Sequence, residues 1–182
     1  MEQLVYVRQE TNECKIFCLE KRQGRYYLRL PVMKGFLGRA GITDKKQEGD
    51  MKTPVGMYPI LCAFGFGKKN PTKLDYFRIT TKTRWCCDEN SPYYNSLTNK
   101  RWLKSCEDMW KYRKEYRLGF VLGYNRLRER GKGSAIFLHC KTTVTAGCVG
   151  VNGADMWALA RWLNKGTYIY IENNIDKFDK NH

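Results

Sequence analysis

GSAIFLHCKTTVTAGCVGV, residues 133–151, is the stretch around which the rest of the chain is read. Its apolar run Ala135, Ile136, Phe137 and Leu138 has the length and composition of a buried strand, and it delivers His139. Strand alternation puts Ala135, Phe137 and His139 on one face and Ile136, Leu138 and Cys140 on the other. The polar segment Lys141-Thr142-Thr143 can then turn the chain. Cys148, at the head of a second apolar step through Val149 and Val151, is thereby returned beside His139. The only other histidine, His182, is the last residue, where fraying is expected. Imidazole chemistry in an ordered core therefore falls to His139.

A thiol next to an imidazole is one way to make a nucleophile, because the thiolate is the reactive form and a neighbouring imidazolium favours it. Ala146 and Gly147, just before the sulfur, leave the backbone open to an approaching carbonyl. The N–H groups around Gly147 and Cys148 are expected to hold the oxyanion of a tetrahedral intermediate. Spacing alone fits equally a buried histidine and a buried cysteine that never meet.

Thr145-Ala146-Gly147-Cys148-Val149 after Ile136-Phe137-Leu138-His139 resembles the catalytic segment of the L,D-transpeptidase (YkuD-type) domain, a His, a loop, then Ser/Thr-x-Gly-Cys. Two further stretches are similar to that family. Lys52-Thr53-Pro54-Val55-Gly56-Met57-Tyr58-Pro59-Ile60 resembles its Thr-Pro-x-Gly-x-Tyr segment along the substrate cleft. YRLGFVLGYN, residues 116–125, resembles the strand before the catalytic segment in one branch, where a Tyr-Asn pair also lies upstream, as Tyr94-Asn95 does here. The resemblance covers roughly residues 35–171, and three motifs in order are far more specific than one.

It implies a YkuD-like β-sandwich and a cysteine acyl transfer on peptidoglycan stem peptides, without cofactor or metal. Cys148 would attack the carbonyl of the third residue of a tetrapeptide stem. His139 would take the thiol proton and return it to the departing D-alanine. An amine acceptor then gives an L,D-crosslink from the thioester, whereas water makes the enzyme an L,D-carboxypeptidase. Thr145 would orient His139 or the substrate, Gly147 would keep the approach open, and Ala146, Tyr58 and Tyr124 are substrate-binding candidates. One departure is Gly150, where much of the family has an Arg two residues after the nucleophile; Arg126, Arg128 and Lys141 are its candidate replacements. The His-to-Cys loop is also shorter than the commonest pattern.

At 182 residues and 42% hydrophobic, with many aromatics, the chain is expected to form a single folded domain, residues 1–182, and a monomer. No apolar run approaches membrane-spanning length, and the first residues lack the basic start and apolar core of a signal peptide. The expected compartment is the bacterial cell envelope if a leader was removed or export is unconventional, and the cytoplasm for a wall-recycling carboxypeptidase. A secreted wall-targeting effector of the same fold is a further alternative.

A net charge of +15 implies an anionic partner or surface. Anionic cell-wall polymers and phospholipid surfaces fit as well as nucleic acid, because Lys and Arg are interleaved with Glu and Asp throughout. A basic nucleic-acid-binding module would explain the charge but not the Thr-Ala-Gly-Cys segment, so no nucleic-acid partner is expected. The eight cysteines are irregularly spaced, include the vicinal pair Cys86-Cys87 and make no CxxC, which favours free thiols. A zinc site from Cys86, Cys87, Cys106 and Cys140 is the alternative use.

Strands are expected at residues 4–7, 15–19, 26–32, 57–64, 75–81, 116–124 and 167–171, with a hairpin turn within 20–24. Residues 35–50, 65–71 and 125–133 read as loops and 84–95 as irregular. Two helices are expected. Trp102, Leu103, Cys106, Met109 and Trp110 recur at helical spacing within 98–112, and Met156, Leu159, Ala160 and Leu163 within 155–163, which Gly166 would end. The expected architecture is mainly β with two attached helices.

Overall fold

A computed structural model describes residues 2–10 and 13–172; His182 lies outside the described residues. The first half of the chain runs β1 (Gln3–Gln9), β2 (Glu13–Arg22), β3 (Arg25–Leu28), β4 (Met33–Phe36), β5 (Ile42–Thr43), β6 (Thr53–Pro54), β7 (Gly56–Gly65) and β8 (Tyr76–Arg78). The second half runs β9 (Arg84–Cys86), β10 (Ser96–Thr98), β11 (Cys106–Asp108), β12 (Leu118–Leu122), β13 (Phe137–Cys140), β14 (Val149–Val151), α1 (Gly153–Trp162) and β15 (Tyr168–Glu172).

The main sheet runs β1-β15-β7-β12-β13-β14-β4-β2, and because β1 also pairs with β2 it closes on itself. Closure removes the unpaired edges that an open sheet would present. β3 extends β2 across a hairpin whose turn residues Gln23 and Gly24 both have positive φ, +49° and +82°, the twist that two-residue hairpins prefer. β9 pairs with β10 on one side and β11 on the other as a separate small sheet.

Alternation along β12 and β13 divides the interior in two. Leu118, Phe120, Leu122, Ile136, Leu138 and Cys140 face the main core, which α1 covers with Met156, Leu159 and Ala160. Val121 and Phe137 face a second cluster with Phe64, Ile79, Trp85, Met109, Tyr116 and Cys148. Gly119 permits this second packing, because a Cβ there would lie 2.5 Å from the Phe64 ring. The helix starts at Asn152, whose side-chain oxygen accepts the Asp155 N–H at 3.0 Å. It ends at a cap on Leu163, and Gly166, at φ +86°, makes the following turn into β15 and does not stop the helix.

The mainly β, YkuD-like expectation agrees with this architecture, but only one of the two expected helices forms. Residues 98–112 contain the end of β10, an irregular segment, β11 and a single 3-10 turn at Met109–Lys111. The apolar spacing there never becomes one buried stripe. Trp102 is 67% exposed, while Cys106–Asp108 is drawn into pairing with β9 and fixed by the Arg84–Asp108 ion pair at 2.8 Å. Tertiary pairing overrides the local pattern. For the same reason residues 84–95, expected to be irregular, begin with a strand, and the 35–50 loop contains β5. Among the described residues no helix is long and apolar enough to cross a membrane.

Candidate active site

β13 and β14 are parallel neighbours with Leu138 opposite Val149 and His139 opposite Gly150. Cys148 immediately precedes Val149, so it sits beside Phe137, two residues from His139 on the same face. Both border one cavity of about 490 Å³, together with Thr145, Ala146, Ala135, Lys46, Glu107, Tyr116 and Lys141.

The loop between the two residues is pinned at Thr145. Its N–H donates to Leu37 O at 2.9 Å, and its carbonyl accepts from Arg39 N at 2.9 Å. Its hydroxyl donates to Cys148 O at 2.7 Å and accepts the Gly147 N–H at 3.1 Å. The Gly147 amide expected for the oxyanion is thus already engaged. Gly147 itself has φ +137°, and a Cβ there would lie 2.9 Å from Lys52 O, so only glycine passes this point unstrained. Thr53 adds a second hydroxyl bond to Cys148 O, at 3.3 Å, while accepting Gly38 N–H at 2.8 Å.

The thiol of Cys148 donates to Ala135 O at 3.2 Å and accepts Phe137 N–H at 3.3 Å. Ala135 has φ +54°, rare outside glycine, and its N–H donates to Asn95 Oδ1 at 3.2 Å. Asn95 also accepts the Trp85 indole N–H at 3.0 Å and donates to the carbonyls of Tyr124 and Asn125, each at 3.0 Å. The Tyr94-Asn95 motif therefore braces the carbonyl that holds the thiol. Tyr94 itself donates to Glu48 Oε2 at 2.6 Å.

His139 is buried, with Nδ1 3.3 Å from Cys140 O and the Tyr116 ring edge-on at 5.2 Å. If Nδ1 carries the proton for that contact, Nε2 remains as the base. Burial pushes the imidazole down to about 4, offset in part by the Cys140 carbonyl. Burial likewise pushes the Cys148 thiol up to about 12; Glu107 raises it further, while the Phe137 amide and Lys46 oppose the rise. At neutral pH the resting pair is thiol and neutral imidazole, not the thiolate and imidazolium expected from adjacency alone. Desolvation penalises both charged forms.

Tyr58 lies outside the cavity lining. Its hydroxyl donates to Val55 O and its ring packs edge-on against Tyr124 at 5.4 Å. Tyr124 donates to Lys132 O and borders a neighbouring cavity shared with Lys46 and Glu48. Of the three replacements considered for the family Arg, Arg126 and Arg128 are exposed outside the cavity lining, whereas Lys141 borders it. A Cβ at Gly150 would lie 2.8 Å from Lys141 Cβ, so the lysine occupies the space that a side chain at 150 would need.

Two cavity residues, Lys46 and Glu107, were not singled out from sequence. Lys46 is only 4% exposed along its side chain, and its ammonium binds Asp50 at 2.5 Å and Gln47 O at 2.8 Å. Glu107 is half-buried, accepts the Tyr116 hydroxyl at 2.5 Å, and is pushed up to about 7 by desolvation of its carboxyl. Among the described residues no group of three or more His, Cys, Asp or Glu could hold a metal ion. Of the four cysteines considered for zinc, Cys86 and Cys106 are opposite on β9 and β11, whereas Cys140 lies apart in the main core, bonded to Leu118 O at 3.6 Å.

The sequence matches the L,D-transpeptidase catalytic domain, YkuD, over residues 5–171. No curated protein matches it by sequence. Among solved structures, the helical cell shape determining protein Pgp2 from Campylobacter jejuni is similar at 19% identity and a TM-score of 0.51, over 95% of this chain and 48% of that chain. A point variant of Pgp2 gives 17% identity, a TM-score of 0.51, 95% and 47%. An L,D-transpeptidase from Mycobacterium smegmatis gives 10% identity, a TM-score of 0.46, 94% and 59%. The chain spans about half the length of Pgp2, and at this identity the likeness concerns the fold. The family match covers nearly the whole chain and includes the strand-loop-strand unit carrying His139 and Cys148, so the chain belongs to the L,D-transpeptidase catalytic domain family.

Proposed function

We propose that this domain performs cysteine acyl transfer on peptidoglycan stem peptides. One observation carries the reading: His139 on β13 and Cys148, immediately before the parallel neighbour β14, border the same cavity inside a domain of this family. The substrate carbonyl enters beside Cys148, and the neutral imidazole accepts the thiol proton as the sulfur adds. Because both groups are neutral at rest, the proton passes to the imidazole as the sulfur bonds to the carbonyl, without a free thiolate forming first. Lys46 is the cation nearest in effect to the sulfur and stabilises negative charge there, although Asp50 partly neutralises it. Collapse of the tetrahedral intermediate returns the proton to the departing D-alanine amine and leaves a thioester. An amine of a second stem then gives an L,D-crosslink, and water gives a tripeptide.

The test is mass spectrometry of disaccharide-tetrapeptide incubated with the wild type and with Cys148→Ala. Loss of D-alanine with the wild type alone supports the reading; a crosslinked dimer identifies a transpeptidase and a bare tripeptide a carboxypeptidase. No turnover on stems with either common third residue overturns it. Running the assay on both intact wall and soluble muropeptide separates work at the envelope from recycling in the cytoplasm.

A further inference from the structure

We propose that Cys86 and Cys106 form a thiol–disulfide exchange site, oxidised by a small disulfide such as oxidised glutathione, whose product staples one wall of the catalytic cavity. The inference stands apart from the substrate of Cys148.

The two cysteines are directly opposite on the antiparallel strands β9 and β11. One pair further along, Cys87 N–H donates to Ser105 O at 2.8 Å, which makes that pair a hydrogen-bonded one. Antiparallel ladders alternate, so Cys86 and Cys106 occupy a non-hydrogen-bonded pair, where Cα atoms are about 4.5 Å apart. That separation lies at the near end of the range of about 4.4–6.8 Å that a disulfide spans. The thiols are near enough for Cys86 to raise the Cys106 thiol. Cys86 is buried and Cys106 is half-buried, so a small disulfide reaches Cys106 first and Cys86 is the resolving thiol. The other cysteines are placed differently: Cys14, Cys18 and Cys140 lie within the main core, Cys62 packs against the second cluster, and Cys87 borders the catalytic cavity with Cys148.

The chemistry balances in two displacements. The Cys106 thiolate attacks one sulfur of oxidised glutathione, forms a mixed disulfide and expels one glutathione thiolate. The Cys86 thiolate then attacks the Cys106 sulfur and expels the second. The protein dithiol loses two electrons, glutathione disulfide gains them, and the two thiol protons end on two glutathione molecules. Burial and the adjacent Cys86 push the Cys106 thiol up to about 11, so the first step quickens as pH rises towards that value.

The next pair along the same strands is Trp85 and Glu107. Trp85 packs edge-on against Phe137 at 5.0 Å, and Glu107 lines the cavity. A bond between Cys86 and Cys106 therefore fixes the two strands that set this wall and closes the segment carrying exposed Trp102 into a covalent loop.

The experiment treats reduced protein with oxidised glutathione at mildly alkaline pH, quenches in acid, blocks free thiols and maps the peptides without reduction. The expected result is a mass lower by two hydrogens, a peptide joining Cys86 to Cys106, and a higher melting temperature that dithiothreitol reverses. Cys86→Ser should stop at a stable glutathione adduct on Cys106, and Cys148→Ala should still form the bond. Wild-type protein that retains glutathione on Cys106, or that joins Cys87 to Cys148, would overturn the proposal. If a variant does not fold, the wild-type peptide map decides alone.

Discussion

The Cys148 thiol gives its hydrogen bond to the carbonyl of Ala135, 3.2 Å away, and that carbonyl belongs to a residue held at φ +54°. The thiol is thus clasped by backbone at Ala135 and Phe137, at the entry to the strand that carries His139. In the proposed reaction the sulfur would leave one acceptor, Ala135 O, for another, the imidazole. With the thiol pushed up to about 12, alkylation of Cys148 by iodoacetamide without substrate is expected to be slow at neutral pH. It should rise about tenfold per pH unit until close to that value, since only the thiolate reacts. Peptide-resolved alkylation rates across pH check this; a plateau below pH 8 would contradict it.

Lys46 and Glu107 act on the sulfur in opposite directions. At pH 8, above the value of about 7 to which Glu107 is raised, its carboxylate is charged and disfavours the thiolate. Glu107→Gln keeps an acceptor for Tyr116 and should speed Cys148 alkylation several-fold, whereas Lys46→Met should slow it several-fold. Lys46→Arg, which keeps the charge, should restore part of the rate. Equal rates in both neutral variants would mean that neither charge reaches the thiol.

Thr145 and Gly147 shape the turn into Cys148. Thr145→Val removes the hydroxyl that joins Gly147 N–H to Cys148 O, and is expected to cost about 1–3 kcal/mol. Gly147→Ala adds a Cβ 2.9 Å from Lys52 O at a positive φ, with backbone strain of about 1–3 kcal/mol in addition to the clash. Both should lower stability in urea unfolding and reduce turnover at least tenfold. Full activity in Gly147→Ala would show that the turn tolerates the displacement.

The buried imidazole also sets a pH dependence of stability. Its value in the folded chain, about 4, lies below that of an unfolded histidine near 6.5. The unfolded chain therefore binds more protons between these values, and stability falls as pH drops through that window. His139→Gln, which cannot charge, should show a shallower loss of melting temperature from pH 6.5 to 4 than the wild type. Parallel curves would place the acid sensitivity elsewhere.

Much of the frame was legible in the sequence because it depends on short-range pattern. Alternation at Phe137, Leu138 and His139 marks a strand with two different faces, and those faces do meet two different clusters. Met156, Leu159 and Ala160 at helical spacing mark α1. The same rule fails at 98–112, where the pairing of β11 with β9 outweighs local spacing. Lys46 gave no local sign of burial, since its stem is enclosed by Gly133 and Gly147, far away along the chain. Nor does sequence adjacency reveal protonation: His139 and Cys148 stay neutral because the packed wall around them, including Tyr116 and Phe137, removes water from both.

The most direct test of the central claim is to trap the acyl-enzyme. Wild-type protein is mixed briefly with disaccharide-tetrapeptide, quenched in acid and mapped by mass spectrometry. The account predicts an adduct on the Cys148 peptide equal to the substrate less one alanine, labile to hydroxylamine and absent in Cys148→Ala. Release of alanine by Cys148→Ala at the wild-type rate, or an adduct on any other cysteine in its place, would contradict it.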